Sequence, residues 1–321
     1  LSYQHIALAK YQLLCQLYTR MEHGPLQVRP ALISAPVTAA PPTIALTRLR
    51  ELWLHTGTAC NLACPFCHEG SKPGDQRLQG FSLDEIAPMM EQAVAAGVER
   101  FAFTGGEPLI LRDIHAILSH ALQRRPVLVL TNGTAPFIRR AHQLASLRAL
   151  PHALSFRVSI DYPDEDRHDA GRGLKNFRKA LEGLRLLHAA GFAVGITRQQ
   201  RPDEDVRAIE NRFRNLLRKQ RLPEDMQIVA LPELGALGVH DSAAAESTGA
   251  EPFPATPACA RSRMLIRRDS TLRLAPCPLV DDDAAFDAPP DLAAALASPV
   301  SPTHPRCNLC RTVGVNYVGC E

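Results

Sequence analysis

Between residues 50 and 231 this chain alternates two kinds of apolar pattern, and that alternation restricts its fold more than any other feature. Strand-like runs fall near 51–56, 99–104, 126–131, 153–160, 192–197 and 226–231. Helical periodicity fills the gaps near 82–97, 110–124, 135–149, 173–190 and 203–219. Six strands separated by five helices predict a parallel sheet with right-handed crossovers, because a helix is the usual way to return a chain to the same end of a sheet. With 321 residues, 45% of them hydrophobic, there is enough apolar material for one such α/β unit and a small appendage. In sheets of this kind that curl into barrels, chemistry gathers at the C-terminal ends of the strands.

Two motifs fall at such ends. After the first strand comes Cys60-Asn61-Leu62-Ala63-Cys64-Pro65-Phe66-Cys67. Three thiolates can hold three irons of a cubic [4Fe-4S] cluster and leave the fourth open to a small molecule, whereas four cysteines are the usual electron-transfer pattern. After the second strand comes Thr104-Gly105-Gly106-Glu107-Pro108. Its glycines allow close backbone approach to a ligand, and Glu107 can accept a hydrogen bond from an amino group.

CxxxCxxC followed by GGEP resembles the radical S-adenosylmethionine (SAM) superfamily. The resemblance implies a partial (β/α)6 barrel of TIM type, with SAM chelated to the open iron and the Gly105-Gly106-Glu107 turn on its amino group. It implies reductive cleavage of SAM to methionine and a 5′-deoxyadenosyl radical, which removes a hydrogen atom from a substrate. It also implies Phe66 beside the adenine, and Ser159, Asp161 and Arg172 near the SAM amino acid and ribose. Read as residues alone, Phe66 could pack within its loop, Asp161 could cap a turn, and Arg172 could pair with it at the surface. Thr131-Asn132-Gly133 follows the third strand, as it often does in relatives of this kind, and could also be only a turn; Ile196, Thr197 and Arg198 end the fifth strand at the same rim.

The remaining cysteines lie mostly near the C-terminus. Cys259 and Cys277 flank a predicted hairpin turning at Asp269-Ser270, Cys307 and Cys310 form a CxxC pair, and Cys320 follows. On spacing alone zinc and iron–sulfur are equally suited. Downstream of the radical SAM motifs the layout resembles the twitch domain, the shortened relative of the SPASM domain. That implies a second [4Fe-4S] cluster on Cys259, Cys277, Cys307 and Cys310, with Cys320 an alternative ligand or a free thiol. Five cysteines are too few for a full SPASM domain. Cys15 reads as buried structure.

The domains expected are therefore an N-terminal helix and Pro-rich connector over 1–48, the barrel over 49–232, a linker over 233–257 and a small Cys-rich twitch-like domain over 258–321. The chain starts at Leu1, which leaves room for missing N-terminal sequence. A net charge of +3 does not suggest nucleic-acid binding. The absence of a long apolar run or secretory pattern argues against membrane insertion, so a soluble cytoplasmic enzyme is expected. The expected reaction is an oxidation of a small molecule or peptide side chain in a biosynthetic pathway, with flavodoxin or ferredoxin as reductant. The arginines at 124–125, 139–140 and 212–221 could dock that reductant or simply face solvent. Alternatives are a peptide-maturing enzyme that crosslinks or epimerises, an iron–sulfur carrier, and a zinc-binding protein. The GTP cyclases of molybdenum cofactor synthesis end in Gly-Gly, whereas this chain ends Gly319-Cys320-Glu321, so that activity is not expected.

Overall fold

The computed structural model describes residues 43–201, 203–232, 257–307 and 310. The expected N-terminal helix and its Cys15, the Pro-rich connector up to residue 42, residues 233–256 of the linker, and Cys320 lie outside the described residues.

Eight strands form one sheet: β1 (Glu51–His55), β2 (Arg100–Thr104), β3 (Val127–Thr131), β4 (Leu154–Ser159), β5 (Ala193–Gln200), β6 (Ile228–Pro232), β7 (Ser262–Arg268) and β8 (Thr271–Ala275). Their spatial order is β6-β5-β4-β3-β2-β1-β7-β8. The first seven are mutually parallel, and only β8 runs antiparallel. Every residue of β1 is buried, as befits a central parallel strand covered on both faces. The result is a partial (β/α) barrel with a cysteine-rich C-terminal region.

The outer layer contains α1 (Leu83–Ala95), α2 (Ile114–Leu122), α3 (Ala135–Ala145), α4 (Glu165–Arg172), α5 (Asn176–Ala189) and α6 (Val206–Lys219). Helix α1 starts at a capping box in which Ser82 and Glu85 satisfy each other's backbone N–H groups. Asp164 and Asp205 cap α4 and α6 in the simpler one-sided way. Ile86, Met90, Ile117, Leu118, Leu184 and Phe213 pack with Phe101, Phe103, Val129, Phe156 and Ile196 in one core. Edge-on contacts of Phe156 with Phe192 and Phe137, at 5.2 and 6.3 Å between centroids, tie β4 to that layer.

Two local differences from the sequence reading have clear causes. The helix expected over 173–190 is shorter, and α4 precedes it as a separate element that the periodicity did not reveal. Helix α4 is polar, burying only His168 and Asp169. The chain breaks between them at Gly173 (φ +88°) and Lys175 (φ +65°). Asp169 then accepts from the backbone N–H groups of Lys175 at 2.5 Å and Phe177 at 2.7 Å, which caps α5 from outside.

The predicted hairpin is present, and its turn places Asp269 and Ser270 both at positive φ, the geometry that suits tight two-residue connections. It joins the main sheet: β7 pairs with β1 from Glu51↔Ser262 to Leu54↔Leu265. A short helix, α7 (Leu292–Ala297), adds Leu292 and Ala295 to the same core. No described helix is long and apolar enough to cross a membrane.

Candidate SAM and iron–sulfur site

The loop after β1 carries Cys60, Cys64 and Cys67, all half-buried. It is pinned at several points. Cys60 N–H donates to Lys72 O at 3.2 Å, Cys67 N–H to Cys64 O at 3.0 Å, and Thr58 Oγ1 to Asp75 at 2.9 Å. Asn132 Nδ2 donates to Asn61 Oδ1 at 2.9 Å, and Asn61 Nδ2 to Thr134 Oγ1 at 3.0 Å, which ties the loop to the end of β3. Leu62 N–H points at Cys60 Sγ, 3.4 Å away. Burial pushes the Cys60 thiol up to about 12 and raises Cys64 as well, although Arg172 opposes the latter. Protons are thus hard to remove from these sulfurs unless a metal replaces them, which is the chemistry of a thiolate-ligated cluster. The donor set fits three irons of one cube.

The Gly105-Gly106-Glu107 turn lies directly against this loop. Gly106 N–H donates to Gly57 O at 2.8 Å and Glu107 N–H to Ala59 O at 3.0 Å. A Cβ on Gly106 would sit 2.2 Å from Ala59 O, so only glycine permits this approach. We expect Gly106→Ala to displace the cysteine loop, costing about 1–3 kcal/mol as overpacking does. A lowered melting temperature and poor iron loading should appear together; normal values of both would contradict this close approach.

Glu107 is 2% exposed. Its Oε1 accepts from Leu109 N–H at 3.2 Å and Thr131 Oγ1 at 2.7 Å, and its Oε2 from Asn132 N–H at 2.8 Å. Thr131 and Asn132 therefore do more than turn the chain: they clamp Glu107. Burial raises the Glu107 carboxyl, and these three bonds oppose that rise. A carboxylate has about four acceptor positions, so Oε2 retains one for an amino group.

The opposite wall comes from β4, α4 and β5. Arg172 makes a bidentate pair with Asp161, Nε–Oδ2 2.5 Å and Nη2–Oδ1 3.2 Å. Asp161 is buried and Arg172 half-buried, so the pair lies inward of the surface position that the simpler sequence reading gave it. Burial alone would raise Asp161, but Arg172 beside it holds it below the usual carboxylate range. Gln199 N–H also donates to Asp161 at 3.1 Å, and Gln199 Nε2 reaches Phe66 O at 3.3 Å. The Arg172 guanidinium stands 5.5 Å from the centre of the Phe66 ring. A Cβ on Gly171 would come within 2.3 Å of that ring. Ser159, half-buried, pairs with Thr197 across the β4–β5 rim. Phe66, Asp161, Arg172 and Ser159 thus lie around the strand ends that carry the cysteine loop.

Residues 54–199 match the family description "Radical SAM superfamily". The chain carries a radical SAM domain. Among similar proteins, a "Probable GTP 3′,8-cyclase" of Methanocella arvoryzae is 33% identical over 152 residues, covering 47% of this chain and 46% of the relative. A "GTP 3′,8-cyclase" of Marinobacter nauticus is 26% identical over 270 residues, 81% of this chain and 74% of the relative. The chain spans less than half the length of the first curated relatives it matches. Among solved structures, Streptococcus suis SuiB superposes with a TM-score of 0.56 at 13% identity, covering 79% of this chain and 67% of SuiB, a likeness of fold.

Beyond the radical SAM domain, Cys259, Cys277 and Cys310 are buried and Cys307 is half-buried. Burial and then the charge of Cys310 raise Cys259 to about 11. Burial, then Cys259, Cys307 and Cys310, push Cys277 well up. Cys277 is therefore within electrostatic reach of the other three sulfurs, and Cys259 of Cys310.

A second, non-cysteine group also has the donor atoms of a metal site: His55, Glu69 and Asp281, all buried, with ligand atoms within 4.8 Å of one another. His55 Nε2 lies 3.2 Å from Glu69 and 3.7 Å from Asp281, while His68 Nε2 approaches Glu69 at 3.1 Å. Burial and the Glu69 charge raise Asp281. Glu69 is held low against its own burial, chiefly by His55. One proton or one cation would satisfy the two carboxylates. Gly57 N–H donating to His55 Nδ1 at 3.3 Å favours the proton, because it leaves Nε2 as the protonated nitrogen on the Glu69 side, 3.2 Å away but outside hydrogen-bond geometry. Arg306 links the group to the C-terminal region through Asp281 at 3.4 Å and His68 O at 2.9 Å. In the sequence His55 and His68 flank the cysteine loop and could touch a ligand or hydrogen-bond locally, whereas Glu69, Asp281 and Arg306 do not stand out. The only local signal was Glu69 two places after Cys67.

Proposed function

We propose that this chain is a radical SAM oxidoreductase, dehydrogenating a small molecule or a peptide side chain in a biosynthetic pathway. The observation that carries the reading is the contact of the three-cysteine loop with the Gly105-Gly106-Glu107 turn at the C-terminal ends of β1 and β2. When bound, a [4Fe-4S] cluster together with SAM supplies one-electron cleavage of a carbon–sulfur bond to make a carbon radical. Cys60, Cys64 and Cys67 would hold that cluster. Oε2 of Glu107 would accept from the SAM amino group, Phe66 would flank the adenine, and the Asp161–Arg172 pair with Ser159 would position the amino acid and ribose. Burial of Glu107 and Asp161 would help keep out water that quenches a radical.

The oxidative character rests on Cys259, Cys277, Cys307 and Cys310 as ligands of an auxiliary [4Fe-4S] cluster, with every iron held by protein and so suited to electron transfer. The region from 258 onward would then be a twitch-like unit and 49–232 the barrel. Flavodoxin or ferredoxin is the expected reductant. Arg124 pairs with Glu91, Arg212 with Asp164 and Arg218 with Glu224, so these arginines serve the helix surface first. A peptide substrate is the second reading, because SuiB has been crystallised with its precursor peptide SuiA. The names of the cyclase relatives make GTP the first small molecule to assay.

The test is iron, sulfide and zinc content of the Cys60→Ala/Cys64→Ala/Cys67→Ala variant after anaerobic reconstitution. Retention of about four irons, one cube's worth, is expected. Loss of all iron, or zinc in its place, would refute the auxiliary cluster and the case for dehydrogenation.

A further inference from the structure

Arg263 on β7 is 2% exposed, and its guanidinium donates only to carbonyl oxygens. Nη1 reaches Cys259 O at 2.7 Å and Ser262 O at 2.8 Å. Nε and Nη2 reach Ala295 O at 3.3 and 3.1 Å, and Nη2 also approaches Ser298 O at 3.5 Å. No described carboxylate pairs with it. Two arginines at the C-terminal strand ends differ: Arg198, buried, pairs with Glu204, and Arg172, half-buried, with Asp161. An arginine does not lose its proton in a protein, and a buried charge needs a counter-charge.

The surroundings indicate where that counter-charge lies. Arg263 follows the short turn Ala258–Ala260, which contains Cys259, and is hydrogen-bonded to that cysteine's own carbonyl. In the β7–β8 ladder the last pair is Met264↔Ala275, so Arg263 lies one step further on, beside the segment that delivers Cys277. As cluster ligands, Cys259 and Cys277 would carry the negative charge next to it.

We propose that Arg263 is a positioning residue for the auxiliary cluster, supplying the positive charge that favours its reduced form. The inference rests on the proposed reading of Cys259, Cys277, Cys307 and Cys310 as cluster ligands. Reduction by one electron from a low-potential donor adds one negative charge to an already anionic group and moves no proton. A fixed cation in a poorly solvated site stabilises the more negative state more strongly. At the three-cysteine site the equivalent cation, Arg172, is already neutralised by Asp161. The C-terminal site is thereby biased toward accepting electrons.

The experiment uses the Cys60→Ala/Cys64→Ala/Cys67→Ala chain as parent, so that only auxiliary iron is present, and titrates it with a chemical reductant under paramagnetic resonance detection. Iron content of the parent is read first. A parent without iron removes the cluster reading and this inference with it, before position 263 is touched. With iron present, Arg263→Met at equal iron should shift the reduction equilibrium at least tenfold against the reduced form, about 59 mV for a one-electron couple. Arg263→Lys, which keeps the charge but not the fork, should retain most of the parent midpoint. If Arg263→Met loses its iron while Arg263→Lys keeps both iron and midpoint, the need for charge is upheld. An unmoved midpoint in Arg263→Met, an equal shift in Arg263→Lys, or loss of iron from both variants would overturn the proposal, the last making Arg263 a strut for the carbonyls.

Discussion

Alanine at Cys60, Cys64 and Cys67 together should reduce SAM cleavage to background, with no 5′-deoxyadenosine released under reducing conditions, while the fold stays intact. The three side chains are half-buried in a loop whose shape comes from other contacts: Thr58 on Asp75, Asn61 on Asn132 and Thr134, and Gly106 on Gly57. Removing three sulfurs from such a loop should change stability by no more than about 1 kcal/mol per site. Circular dichroism and chromatography of product separate the two statements. Cleavage persisting in a well-folded triple variant would show that this loop is not where SAM reacts.

The second large effect concerns Arg172. Replacing it with methionine strands the Asp161 carboxylate among Gln199, His168 and the barrel wall, with only 2% of Asp161 exposed. Breaking a buried ion pair from one side costs about 3–5 kcal/mol. The double variant Arg172→Met/Asp161→Asn should recover much of that stability, since no charge is left unpaired. Its affinity for SAM should stay low, because neither the carboxylate nor the guanidinium is available to the ligand. Denaturant unfolding and calorimetric SAM titration read the two quantities separately. Full SAM affinity in the double variant would reduce the pair to structural support.

Much of this was legible in the sequence because it depends on local spacing. The strands of the barrel announce themselves as short apolar runs, and β1 to β6 lie within a few residues of where those runs fall. The cysteine loop and the glycine turn are contiguous motifs, so their residues could be named in advance. What stayed hidden depends on long-range meetings. Glu69 meets Asp281 because β7 lies against β1, and no local pattern reports that. Asp161 and Arg172 were both named, but whether they pair at the surface or in the interior is decided by how α4 folds back over Phe66 and Gln199. Helix α4 itself escaped notice because it is nearly all polar, leaving no apolar stripe to detect.

The position of β7 beside β1 also bears on how the chain is built. Among the described strands β1 is the first to be synthesised, yet one of its two neighbours is among the last. Until that neighbour emerges, β1 presents an open row of N–H and C=O groups around its apolar centre Leu52-Trp53-Leu54, the kind of edge that recruits another chain. Pairings so remote along the polypeptide form late and slowly. Final closure of this sheet therefore waits for the cysteine-rich end, and shortened chains lacking β7 and β8 should pass through translation with an adhesive flank, to be found in the insoluble fraction.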